Sequence, residues 1–211
     1  MREPIAKRLM DELKIESKLT FDCASIYLSK LDQELLVNVT PYQEYIVLSS
    51  SVIANQKTEV IFKDSIIELI RQNKNVVLLN GGPHEEKVFL ENLYKHFKSE
   101  KQVSFLETKS VEHFLSIIKN ATMLISGRFH YSIIAMFLQC PFVLLNSNTS
   151  KNFGLIEMTQ LPNKILSFDL ANLKDELLRE VLKIEKEPKK YSLQESELKR
   201  LENLAKGNFI T

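Results

Sequence analysis

Two short stretches carry the side chains most suited to chemistry. Ser126-Gly127-Arg128-Phe129-His130 joins an apolar run, Thr122 to Ile125, to a helically spaced one, Arg128 to Leu138, with Phe129, Ile133, Ile134, Phe137 and Leu138 near one face. This is a strand, a turn and a helix amino end. Ser126 has the hydroxyl of a helix N-cap. Gly127 permits a tight turn and the approach of another group to the backbone. A permanent cation, Arg128, and a titratable ring, His130, then flank free N–H groups, a combination that suits an anion. The plain alternative is a turn whose Arg and His satisfy nearby carbonyls. The second stretch, Asn146-Ser-Asn148-Thr-Ser-Lys151, is polar and also follows a buried strand. A lysine there is by default a solvated one. If Lys151 reaches the same rim as Arg128 and His130, the three hold a small dianion, and the imidazole is able to move a proton.

The elements that position these residues read as strand and helix in alternation. Strands are expected at Tyr45–Ser49, Asn75–Asn80, Val103–Leu106, Thr122–Ile125 and Pro141–Asn146. Helices are expected at Thr58–Gln72, His84–Phe97, from Ser110, at Arg128–Leu138 and at Lys151–Met158. The strands are continuously apolar, the mark of a parallel sheet covered on both faces. The fold class is therefore α/β: a Rossmann-like open parallel sheet with helices on both faces. Ligands sit at the carboxyl edge of such strands, where the loops 80–84, 126–130 and 147–151 fall. We divide the chain into residues 1–42, a junction helix (Arg2 to Leu13) and connecting segment; 43–170, the Rossmann-like domain; and 171–211, two charge-dense helices. Thr20–Leu28 reads as strand or loop. A helix at the chain's first residues, with no strand before it, reads as the continuation of a preceding unit.

Composition removes several functions. The chain has 211 residues, 44% hydrophobic and 26% charged, with a formal net charge of +1. No global field draws it to nucleic acid or to an anionic membrane, and no apolar run approaches the ~20 residues of a spanning helix. The two cysteines, Cys23 and Cys140, show no disulfide pattern, so a cytoplasmic setting is expected, with contact at the inner membrane face for lipid-linked material. Gly81-Gly82 is neither a dinucleotide fingerprint nor a P-loop. Glu85 and Glu86, in the first turn after it, repel a phosphate unless a cation intervenes, so a structural role is expected for them. His84 is either an exposed cap or a ligand contact. The spacing of His, Cys, Asp and Glu fits no metal site, and no cofactor is expected.

Ser126-Gly-Arg-Phe-His130, Ala135, Cys140-Pro-Phe-Val, Ser147-Asn-Thr-Ser-Lys151 and Gly154-Leu-Ile-Glu157 together resemble the C-terminal signature of the polysaccharide pyruvyl transferases. Arg2-Glu-Pro-Ile-Ala-Lys-Arg-Leu resembles that family's segment at its domain junction, and Asn80 to Glu86 its loop before a helix. The resemblance runs from Arg2 to about Leu161. It implies one half of a two-domain, GT-B-type enzyme that transfers the enolpyruvyl group of phosphoenolpyruvate to a sugar as a ketal. The partners implied are phosphoenolpyruvate, a glycan or lipid-linked sugar acceptor, and an N-terminal domain or partner chain. Arg128 and His130 would bind the donor, His130 as general acid; Lys151 would neutralise its charge, and Arg2 would add a second guanidinium. Ser126, Gly127, Asn148 and His84 complete the candidate binding set. Phe129 stands where the family has Leu, the lysine loop is one residue longer, and the chain is expected to be the C-terminal half, without the N-terminal domain that helps to bind the acceptor. Two alternatives remain: half of a nucleotide-sugar-dependent glycosyltransferase of the same architecture, or a non-catalytic module of that fold.

Overall fold

The computed structural model describes residues 1–51, 53 and 55–209, with Gln56 described by its backbone alone. Six parallel strands, β1 (Ile46–Leu48), β2 (Val76–Asn80), β3 (Val103–Glu107), β4 (Met123–Ser126), β5 (Phe142–Leu145) and β6 (Ile165–Leu166), form one sheet in the order β3-β2-β1-β4-β5-β6. Val47 of β1 lies opposite Val77 on one side and Leu124 on the other. The order reverses between β1 and β4. There the connections leave to opposite faces and open a crevice at the carboxyl ends of the strands.

Helices cover both faces, as the unbroken apolar strands require. Alternate strand residues point to opposite sides. Val47, Val77, Leu79, Leu124 and Leu144 pack towards α5 (Val111–Lys119), α6 (Phe129–Phe137) and α7 (Lys151–Thr159). Ile46, Leu48, Leu78, Ile125 and Val143 pack towards α3 (Gln56–Arg71) and α4 (His84–Lys95). The two charge-dense C-terminal helices divide between these layers. In α8 (Leu173–Lys186), Leu177, Val181 and Ile184 join the second, and in α9 (Glu195–Lys206), Leu201 and Ala205 join the first. Most of their interleaved charges stay outward; Glu176 and Glu180 of α8 are buried and are paired with Lys164 and Arg179, and with Lys183.

Several local expectations are corrected. Thr20–Leu28 holds neither strand nor plain loop but a short helix, α2 (Ala24–Leu28), introduced by Asp22. Asp22 Oδ1 accepts from the Ala24 amide at 3.0 Å, so an acidic side chain satisfies an amide left free at the helix start. Ser126 does not cap α6: it ends β4, its Oγ accepts from the Arg128 amide at 3.0 Å, and Arg128 itself takes the cap position. β6 has only two residues and no apolar run to announce it. The first helix, α1 (Pro4–Glu12), is capped by Glu3, which accepts from the amides of Ile5 and Ala6. Its apolar side chains stay largely outside the core, with Leu9 and Leu13 more than half exposed. α1 is fixed instead at its start, where the Glu3 carboxylate lies against Gly154 of α7.

Candidate functional site

The cleft at the carboxyl edge is built by four strand-to-helix loops. Gly81 and Gly82 follow β2; Thr108, Lys109 and Ser110 follow β3; Arg128 leads from β4 into Phe129 and His130 of α6; Ser147, Asn148 and Thr149 precede Lys151. The cavity has a volume of about 710 Å³. A larger groove of about 980 Å³ opens at the opposite rim, beside the strand starts at Tyr45, Asn75, Thr122 and Pro141, and its Lys74 is paired with Glu185 at 2.5 Å. A parallel sheet presents its loop amides at the other edge, which makes the smaller cleft the chemical candidate.

Glycine backbones let the loops close together. A Cβ on Gly127 would stand 2.4 Å from Ser51 Cβ and 2.9 Å from the Asn146 carbonyl oxygen, so this loop and the one after β1 touch main chain to side chain. Buried Asn152, the second residue of α7, donates from Nδ2 to the carbonyls of Gly127 and Leu145, both at 3.2 Å. It thereby ties the lysine loop to the arginine loop.

Arg128 is not a free cation. Its Nη2 donates to Glu86 Oε2 at 2.5 Å, and Glu86 is buried. The other carboxylate oxygen accepts from Ser49 Oγ at 3.0 Å and Ser50 Oγ at 2.9 Å. Glu86 thus anchors the guanidinium from behind, while Arg128 also lines the cleft. The cation that sequence reasoning required between Glu86 and an anion is Arg128 itself. Among the described residues, two buried donors beside this pair have no hydrogen-bond partner, Arg128 Nε and the Tyr131 hydroxyl. Burial, reinforced by the Glu86 charge, raises the Tyr131 phenol and keeps it protonated.

His130 has a partner of its own. Its Nε2 lies 3.3 Å from Asp22 Oδ2, and Arg2 Nη1 donates to the same oxygen at 2.7 Å. Burial alone would raise the Asp22 carboxyl. Contacts from His130, the Ala24 amide and Arg2 outweigh it and hold the group well below the usual carboxylate range. Phe129 meets the imidazole edge-on, ring centroids 5.5 Å apart.

The structure therefore brings Arg128, His130, Lys151 and Asn148 to one cleft. Arg2 stands behind His130, on Asp22; Ser126 and Gly127 lie beneath as framework; His84 opens α4, exposed and outside the cleft lining. Sequence reasoning missed Asp22, Lys109 and the serines after β1. Ser49-Ser50-Ser51 was a readable signal, three hydroxyls directly after a buried strand. Asp22 gave none, because its partner comes from α6. Among the described residues no cluster of His, Cys, Asp and Glu is arranged to hold a metal ion, and no helix is long and apolar enough to cross a membrane.

The sheet order and the rim cleft define one Rossmann-like half of the GT-B architecture. The chain is similar in fold to UDP-GlcNAc 2-epimerase of Methanocaldococcus jannaschii, with a TM-score of 0.63 and 17% identity over 85% of this chain and 52% of that one. It is similar also to a glycosyltransferase of Rickettsia africae (0.59; 13% identity; 95% and 56% covered) and to HepE of Anabaena, solved with UDP and glucose (0.54; 15%; 91% and 53%). It spans about half the length of each. No curated protein sequence matches it. The chain belongs to the polysaccharide pyruvyl transferase family, whose model matches residues 1–149. The match takes in Arg2, Asp22, Glu86, Arg128 and His130 and stops short of Lys151.

Proposed function

We propose that the cleft binds phosphoenolpyruvate and passes its pyruvyl group to a sugar of a cell-surface glycan, with His130 as general acid. The observation that carries this reading is the lining of one concave rim by Lys109, Arg128, His130 and Lys151, drawn from three separate loops. Four permanent cations stand in or just behind the cleft, counting Arg2, against the two carboxylates Asp22 and Glu86. The surplus positive charge fits a compact donor carrying phosphate and carboxylate together. Protonation of the donor's methylene carbon by His130 makes its C2 electrophilic. A sugar hydroxyl then adds to C2, its proton returning to the ring. A second hydroxyl of the same sugar displaces phosphate, which leaves with that hydroxyl's proton, and the ketal is complete. Arg128 and Lys151 stabilise the departing phosphate. The acceptor is a glycan or lipid-linked sugar met on the cytoplasmic side, at the inner membrane face. It is held by a second Rossmann-like unit from the same polypeptide or a partner chain.

Family membership supports transferase chemistry, and the cleft's charge supports a small anionic donor. The second reading, nucleotide-sugar chemistry, draws on the UDP bound by similarly folded proteins. A thermal-shift panel separates the two. Phosphoenolpyruvate raises Tm in a concentration-dependent way and UDP-sugars do not, because a ligand that binds only the folded state stabilises it by mass action. A shift with UDP-sugars and none with phosphoenolpyruvate, in the presence of the second unit, refutes the proposal.

A further inference from the structure

Asp22 is a buried carboxylate, contributed by a segment remote in sequence from the arginine–histidine turn, whose environment is organised around the imidazole. One oxygen, Oδ1, is fixed by the Ala24 amide at 3.0 Å. The other, Oδ2, faces both Arg2 Nη1 at 2.7 Å and His130 Nε2 at 3.3 Å. The residue's main-chain oxygen accepts from the Ser25 amide at 3.1 Å and from Ser25 Oγ at 2.7 Å, so backbone and side chain are both locked. His130 itself is more than half exposed, and a ring so exposed has no reason of packing to keep one orientation.

We infer that Asp22 is a positioning residue for His130, holding the imidazole by Nε2 so that Nδ1 is the nitrogen that exchanges a proton with substrate. A carboxylate beside one ring nitrogen fixes the tautomer and the orientation of the other. In the imidazolium, Nε2–H stays with Asp22 and Nδ1–H is the proton given up. Delivery leaves Nε2–H in place and a lone pair on Nδ1, which then accepts the proton of the incoming hydroxyl. Arg2 has a distinct part. By compensating Asp22 it keeps the carboxylate ionised when the ring is neutral, so Asp22 does not take the ring's proton. The second guanidinium of the site thus acts through Asp22 and His130. The destination of the proton rests on the pyruvyl-transfer reading; the Asp22–His130 pairing does not.

The test is long-range ¹H–¹⁵N NMR of the whole chain labelled with ¹⁵N-histidine, near pH 9, above the ordinary imidazole range. Four histidines give an internal comparison. The His130 Nε2–H proton exchanges with water about tenfold more slowly than that of exposed His84, the ratio one charge-assisted hydrogen bond sustains. Asp22→Ala removes the protection. Asp22→Asn, whose amide oxygen still accepts from Nε2–H, keeps part of it. A His130 Nε2–H that exchanges as fast as that of His84, or a protected proton found on Nδ1, overturns the inference, and both are read in the unmutated chain should Asp22→Ala fail to fold. Calorimetry with phosphoenolpyruvate runs beside it. Donor binding without Nε2 protection removes only the positioning role, whereas Nε2 protection without donor binding removes only the assignment of the donor.

Discussion

Replacing Arg128 by Met tests whether the cleft's central cation is anchored or merely nearby. The change removes the charge that faces Glu86, whose side chain is 1% exposed. It keeps the aliphatic stem that packs in the loop. Glu86 is then left buried without its cation, with only two hydroxyl donors, Ser49 and Ser50. Breaking a buried pair from one side costs about 3–5 kcal/mol, because the surviving charge keeps its desolvation penalty without its partner. For a chain of this size each kcal/mol moves Tm by about 2–4 °C, so a loss of roughly 6–20 °C is expected. Urea denaturation and calorimetric melting measure it. Glu86→Gln in the Arg128→Met background recovers a large part of the loss, since the uncompensated charge is gone, and the double-mutant cycle shows coupling above about 1 kcal/mol. A single variant within about 0.5 kcal/mol of the parent, with no coupling, refutes the reasoning. The guanidinium would then be solvated, and the preorganised site with it.

Other outcomes follow from the same geometry. Gly127→Ala places a Cβ against Ser51 and the Asn146 carbonyl, and, since main chain does not yield as a side-chain tip does, a loss of about 1–3 kcal/mol is expected in denaturant titrations. Asp22 supplies a pH dependence. Its pKa is lower folded than unfolded, so its contribution to stability is complete above the unfolded value of about 3.9 and is lost as pH falls towards the folded value. The stability gap between the parent chain and Asp22→Asn should therefore narrow on acidification below about pH 4–5, in urea melts taken across that range; a gap that widens there contradicts the assignment. Cys23 is exposed, whereas Cys140 is buried and its thiol is pushed up to about 12, chiefly by burial. A thiol-selective reagent at pH 8 should modify Cys23 alone in the folded chain and both after unfolding, read by mass spectrometry.

The run of apolar residues carried the parallel sheet, because strands buried on two faces are apolar through their middles, and Val47 and Leu124 are each flanked on both sides by apolar residues. The position of the cleft followed from that sheet, since carboxyl-edge loops are set by the direction of the chain. What stayed hidden depended on pairing across the fold. Asp22 looks like any turn aspartate until α6 brings His130 to it. Glu86 looks like a helix-dipole residue until β1's serines and Arg128 close over it. Ser126 is a reasonable cap by residue type, yet the chain stays extended through Arg128 and the helix starts later than the hydroxyl suggested. The helix α1 was legible from its spacing, but its attachment was not: Leu9 and Leu13 face outward while Glu3 holds the helix at its start.

The most direct measurement is isothermal titration of phosphoenolpyruvate into the chain, alone and with the proposed second unit added, for the parent, His130→Ala and Lys151→Ala. Saturable one-to-one binding by the parent is expected, with about a tenfold or greater weakening in each variant, the worth of one charge-assisted contact. Binding that is absent from the parent in both settings, or indifferent to both substitutions, contradicts the donor assignment.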